Sequence, residues 1–211
     1  MAILKHSANP IERFAVNWLS SMGKESLLSR SGSLFRMAKI RFFILTCAGS
    51  LLAPATFSQS FREYDVKAVF LYNFTQFVEW PGKAFPDDSS PIVIGVLGAD
   101  PFGKSLQETV RNETVRNRKL IIQHYLNVEE IKTCHILFIS QSEIKQLDQI
   151  LASLRGRNIL TVGEMAGFSQ RGGVISFLTD KNKIRLRVNL AAAREANLTL
   201  SSKLLRVAET D

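Results

Sequence analysis

Four short apolar runs, at residues 92–97, 120–125, 136–140 and 159–162, constrain the fold of this chain more than any other feature. Each is too short for a core helix, rich in β-branched residues, and apolar at consecutive rather than alternate positions, as a strand buried on both faces must be. Helical patterns separate the runs: Leu106 with Val110, Val128 with Ile131, then Ile144, Leu147, Ile150, Leu151 and Leu154. Strand and helix in alternation predict an α/β domain of three layers, with a mostly parallel sheet and crossover helices on its faces. The end of the chain departs from this pattern. Residues 174–179 and 183–188 flank a link short enough for a C-terminal antiparallel hairpin. In the second of these strands Ile184, Leu186 and Val188 point one way and Arg185 and Arg187 the other, toward solvent or a polar groove.

Helices are expected at both ends of this core. Ser60 and Glu63 have capping-box spacing, and Val66, Val69, Phe70, Phe74, Phe77 and Val78 follow three or four apart. Trp80 and Pro81 end that helix near Glu79, because the residue before a proline is pushed out of helical geometry. Asn189 is placed to cap a helix at 190–196 through its side-chain oxygen. A last helix, capped by Ser201 or Ser202, carries Leu204, Leu205 and Ala208 on its packing face.

The formal charge of +8 would point to nucleic acid or an anionic surface if it were spread over the fold. It is concentrated at the front, where residues 1–58 hold seven Lys or Arg against two acids, leaving 20 bases against 17 acids beyond. Arg36, Lys39 and Arg41 precede an apolar run at 42–52 that is followed by small residues, the order of a secretory signal. Cleavage is expected after Ala55 or after Ser58, and the run is shorter than the ~20 residues needed to span a bilayer, so no lasting membrane insertion is expected. A signal spanning 37–58 starts at Met37, which marks residues 1–36 as a non-native extension. The exported domain at 59–211 then keeps one cysteine, Cys134, and has no internal disulfide. A domain of this length stands on its core, and Cys134 reads as a packing residue.

Catalytic machinery is hard to find in the exported domain. Residues 98–105 (GADPFGKS) fit the GxxxxGKS phosphate-loop pattern, and Lys104 would be its lysine. Asp100 puts an anion where phosphate would lie, Pro101 removes an amide donor, and the strand at 136–139 ends in Ser140 and Gln141 rather than an acid for Mg²⁺. A tight turn with Pro101 opening the next helix is the simpler reading. His124, Cys134 and His135 form no spaced metal-ligand set, since adjacent residues on a strand face opposite sides. Arg111, Arg116, Arg118 and Lys119 read as a solvated basic loop, and no nucleic-acid site or cofactor is expected. Asn73 falls on the apolar face of the first helix, where a structural tie to a loop carbonyl is its simplest role. The glycine-rich segment at 163–173 follows a buried strand, the position where open α/β sheets meet ligands or partners.

The segments VKAVFLYNFTQFVEWP (66–81), IGVLGADPF (94–102), CHILFIS (134–140), ILTV (159–162), GFSQRGG (167–173), VNLAAAR (188–194) and LSSKLL (200–205) resemble the YfiR family of periplasmic proteins. The resemblance runs in order through the exported domain. It implies a Rossmann-like α/β domain that is not an enzyme, a periplasmic repressor that binds the periplasmic part of an inner-membrane diguanylate cyclase and so restrains cyclic-di-GMP synthesis and biofilm formation. It also implies that the GxxxxGKS match is accidental. The resemblance implies that relatives can carry disulfide-forming cysteines that gate repression, whereas this exported domain has Cys134 alone. On this reading Glu164, Phe168 and Arg171, with Arg187 on the outward side of the last strand, contact the partner, Phe168 being the apolar anchor. Asn73, Trp80 and Asn189 are structural, and a homodimer is an option. The competing expectations are a small-ligand receptor using Arg185, Arg187 and Asn73, and a nucleotide-binding phosphate loop.

Overall fold

The computed structural model describes residues 56–181 and 183–210. The expected extension at 1–36 lies outside them, as does the expected signal at 37–58 except for its last three residues. Helix α1, Thr56–Phe77, starts before Ser60, so that residue sits within the helix rather than at its start. Glu63 bonds to Lys67 and Thr179 instead of closing a capping box.

The central sheet is assembled from β2 (Ile92–Leu97), β3 (Thr114–Val115), β4 (Arg118–Tyr125), β5 (Ile136–Ile139), β6 (Leu160–Gly163), β7 (Ile175–Asp180), β8 (Lys183–Val188) and β10 (Ala208–Thr210). Its order is β10-β8-β7-β6-β5-β2-β4-β3. The five strands β4, β2, β5, β6 and β7 are parallel, whereas β7 with β8 and β3 with β4 are antiparallel hairpins. Taken in chain order, the parallel strands run 2-1-3-4-5, the flavodoxin-like doubly wound order, with its switch point between β2 and β5. A separate two-stranded ladder joins β1 (Val78–Glu79) to β9 (Thr199–Leu200).

Every residue of β2, β5 and β6 is buried, which is why those strands are apolar without alternation. One face of the sheet carries α1. There Phe70 and Phe74 pack on Phe177 of β7 at ring separations of 5.8 and 6.1 Å, and Phe102 stands edge-on to Tyr64 and to Phe138 of β5. The other face carries α3 (Leu147–Ser153), whose Leu147, Ile150 and Leu151 join Leu137, Ile139, Met165 and Phe168 in one cluster. Burying each of these large side chains contributes about 2 to 3 kcal/mol. Helix α2 (Lys104–Val110) crosses from β2 toward β3, and α4 (Leu190–Glu195) and α5 (Ser202–Leu205) follow the hairpin.

Three local readings change. Ile144 belongs to the turn after a 3₁₀ segment and is exposed, so α3 starts at Leu147. Ala208 lies in β10, paired in parallel with Leu186, rather than on the last helix. Arg118 is no solvated side chain: its guanidinium stacks 4.0 Å from the centre of the Phe85 ring and donates to the carbonyls of Asp87 and Ser90. Phe85 in turn stacks on His135, whose Nδ1 accepts from Val93 N, and Trp80 Nε1 donates to His135 O. This stack fastens the segment between β1 and β2 to the sheet. Among the described residues no helix is long and apolar enough to cross a membrane.

Candidate functional site

The loop at 164–173 leaves the C-terminal end of β6 and is tied down along its length. Lys67, on α1, is 2% exposed, and its ammonium lies between two carboxylates, Glu63 at 2.6 Å and Glu164. Tyr64 donates its hydroxyl to the other oxygen of Glu164 at 2.8 Å, and its ring lies 4.6 Å from the Lys67 ammonium. Burial pushes the Glu63 carboxyl upward, but hydrogen bonds from Lys67 and Thr179 outweigh it and leave the group below its ordinary value. Burial, then the hydrogen bond to Glu164, holds the Tyr64 phenol well above its usual range. The loop's first residue is thus fixed to α1 by a compensated buried charge.

Its middle is fixed by packing. Phe168 is fully buried in the α3-side cluster. A Cβ on Gly163 would stand 2.5 Å from the Phe168 ring, and one on Gly173 would overlap it, so the glycines on either side of the loop give the ring its room. Ser169 N donates to Ser176 Oγ, and Asn189 makes two bonds at once: Nδ2 donates to Ser169 O, while Oδ1 accepts from Ala192 N and caps α4. At the far end Arg171 Nε donates to Asp148 on α3 at 2.6 Å.

The residues singled out in the sequence do not converge. Phe168 is the clear correction: a ring enclosed by the core has no surface to offer a partner, and it serves as the loop's internal support. Glu164 turns toward α1 and Arg171 toward α3. Arg187 stands opposite Ser176 in the β7–β8 ladder and bonds Glu209 on β10 at 3.0 Å, beside Arg185, which reaches Glu209 at 3.5 Å and Asp180 at 3.4 Å. Arg185 and Arg187 lie on the sheet face opposite Phe177, and α1 lies on the Phe177 face, so Asn73 of α1 shares no site with them. Asn73 itself is half-buried with no loop carbonyl bonded to its amide, and Trp80 supplies the tie expected of it. The small-ligand site built from these three residues is therefore not assembled. An opening bounded by Leu151, Leu154, Ile159 and Ala192, of about 30 Å³, has room for a water rather than an organic ligand.

The GxxxxGKS segment is likewise committed elsewhere. Asp100 Oδ1 accepts from Phe102 N, Ala99 N donates to Ser142 Oγ, Gly98 N donates to Tyr125 O, and the Ser105 hydroxyl bonds Asp65. Ser142 and Glu143 occupy the space over Gly98 at the switch point between β2 and β5. Among the described residues, no three His, Cys, Asp or Glu side chains are grouped to hold a metal.

Lys67, Tyr64 and Asp148 were not singled out in the sequence, although Lys67 left a trace. It sits four residues after Glu63, beside the apolar stripe of α1, where a lone cation needs carboxylate partners.

A family model described as YfiR/HmsC-like matches residues 64–209. No curated protein matches the chain. A conserved domain protein from Vibrio cholerae O1 biovar eltor str. N16961 aligns at 13% identity and a TM-score of 0.43, over 56% of this chain and 54% of that one. The ABC domain from Streptococcus pneumonia in complex with L-Trp aligns at 11% identity and a TM-score of 0.43, over the same shares of the two chains. The chain spans about half the length of these solved structures.

Proposed function

Because the chain belongs to the YfiR/HmsC-like family, we propose that it represses a membrane-bound diguanylate cyclase by binding the cyclase's periplasmic part, and so lowers cyclic-di-GMP. The family is one of periplasmic regulators, not enzymes, that act with a diguanylate cyclase. The family match over 64–209, nearly all of the described chain, is the observation that carries the reading.

The site is in keeping with docking. Its loop is held by α1, α3 and α4 before any partner arrives, so little conformational entropy is left to lose on binding. Exposed Gly167 and Gln170 form its tip and the Arg171–Asp148 pair its rim. Repression follows if this surface binds the inactive arrangement of the cyclase more tightly than the active one, by a differential of a few kcal/mol.

Deleting the gene and restoring it on a plasmid tests the proposal. Cellular cyclic-di-GMP rises on deletion and falls on restoration; a level unchanged by deletion overturns it.

A further inference from the structure

The hydrogen bonds that tie residues 80–90, between β1 and β2, to the sheet end on two residues, His135 and Arg118. Trp80 Nε1 donates to His135 O at 3.2 Å, His135 Nε2 donates to Ala84 O at 3.2 Å, and Arg118 donates to the carbonyls of Asp87 and Ser90 at 2.8 and 2.7 Å. The bonds of the segment's own turns, Ala84 N to Pro81 O, Phe85 N to Gly82 O and Ser89 to Asp87, stay within it. Phe85 lies between the two anchors, 4.4 Å from the His135 ring on one face and 4.0 Å from the Arg118 guanidinium on the other. His135 itself is 1% exposed, immediately before β5.

This latch closes on a neutral ring alone. His135 Nδ1 accepts from Val93 N at 3.0 Å, so a proton added there meets another donor head-on. The added charge also comes to rest on one face of Phe85 with the Arg118 cation on the opposite face. The other charged groups around the ring bring no relief. Lys83, Asp87 and Asp88 on the segment are exposed, Asp88 lying 3.9 Å from Arg118; β4 adds Lys119, the loop before β6 adds Arg157, and β2 carries no titratable group. Among the described residues no carboxylate is paired with His135.

We propose that protonation of His135 releases residues 80–90 from the sheet, so that the segment is an acid-opened strap over a core that stays closed. Opening lets the ring turn into water, where Nδ1 takes its proton without facing Val93 N. The sheet beneath does not need the ring: Val93 O keeps the bond from His135 N, and His135 O keeps the bond from Leu160 N. Burial holds the closed ring's pKa down at about 4, whereas a ring in water titrates near 6.5. The open-to-closed ratio therefore rises as pH falls, by about twentyfold from pH 7 to pH 5. A periplasmic protein meets the acidity of the medium because porins are water-filled, which gives the strap a signal to answer. The strap acts whether or not the partner is a cyclase.

Amide exchange of the full chain, followed by NMR at pH 7 and pH 5 and corrected for the intrinsic rate at each pH, tests the proposal. The Phe85 and Val93 amides lose about twentyfold in protection, in step with titration of the His135 ring. Amides of Leu160 to Gly163 remain better protected than those two at both pH values, as local rather than global opening requires. In His135→Gln the protection of Phe85 and Val93 no longer depends on pH, whatever its level. Phe85 and Val93 amides that hold their protection at pH 5, that lose it only together with Leu160 to Gly163, or that lose it equally in His135→Gln overturn the proposal.

Discussion

Phe168 lies so close over Gly173 that a methyl group on the glycine would overlap the ring, and the ring, fully buried, has nowhere to move. Gly173→Ala therefore overpacks the core beneath the loop. The expected loss is about 1 to 3 kcal/mol in urea unfolding, typical of an added core methyl without space. Phe168→Leu in the Gly173→Ala background recovers part of that loss by vacating the space. An Ala substitution that leaves the unfolding midpoint unchanged would show that the ring is not the loop's support.

Lys67 is enclosed by Glu63, Glu164 and the Tyr64 ring, so removing the cation should cost more than removing one of its two carboxylates. Lys67→Met leaves two carboxylates without their cation and is expected to cost about 3 to 5 kcal/mol. Glu164→Gln leaves Lys67 paired with Glu63 and costs less, on the order of 1 kcal/mol. Chemical denaturation of the two variants checks the ranking, and amide exchange of residues 164–168 should quicken in both.

The strands of this fold were readable because burial on both faces forces consecutive apolar residues, and β2, β5 and β6 carry that mark. The hairpin β7–β8 follows from its short link and alternation, whereas the order of the parallel strands is set by crossovers that the sequence pattern does not specify. What escaped reading depends on partners distant in the chain. Ala208 falls at helical spacing from Leu204 and Leu205, yet β8 claims it as a strand residue. Asn73 is three residues from Phe70 and four from Phe77, but the packing face of α1 is set by Phe177 and leaves the amide half-buried. Phe168 in a glycine-rich loop suits an exposed anchor and a buried plug equally well; Gly163 and Gly173 decide between them only once the fold brings both against the ring. Lys67 shows the same limit, because Glu164 is 97 residues away along the chain.

Cys134 is buried, donates its thiol to Ile136 O at 3.1 Å, and is pushed up to about 12, chiefly by burial. The reactive thiolate is scarce at neutral pH, and the side chain is only 6% exposed in the folded state. Cys134 is expected to resist a maleimide in native buffer and to label at once in denaturant, read by mass of the peptide that contains it. Native labelling at a rate near that of a free thiol would restore a redox role for this residue.

His135 gives the fold an acid limit. Its Nδ1 accepts from Val93 N at 3.0 Å, which fixes the neutral ring with Nε2 donating to Ala84 O at 3.2 Å. Burial holds its pKa down at about 4; the bond to Ala84 opposes the shift, and the Arg118 charge across Phe85 adds to it. An unfolded histidine titrates near 6.5, so above that pH the ring is neutral in both states and costs nothing. As pH falls from about 6.5 to about 4 the unfolded chain takes up a proton that the folded ring refuses, and stability declines by roughly 3 kcal/mol across the window. Glu63, held low by Lys67, adds its own loss only below the ordinary carboxylate range. Urea unfolding from pH 7.5 to 4.5 should show the decline in the parent chain and a flatter profile in His135→Gln, a variant less stable at pH 7 because it cannot fill the place between Phe85 and Trp80. Parallel profiles for the two chains would place the acid sensitivity elsewhere.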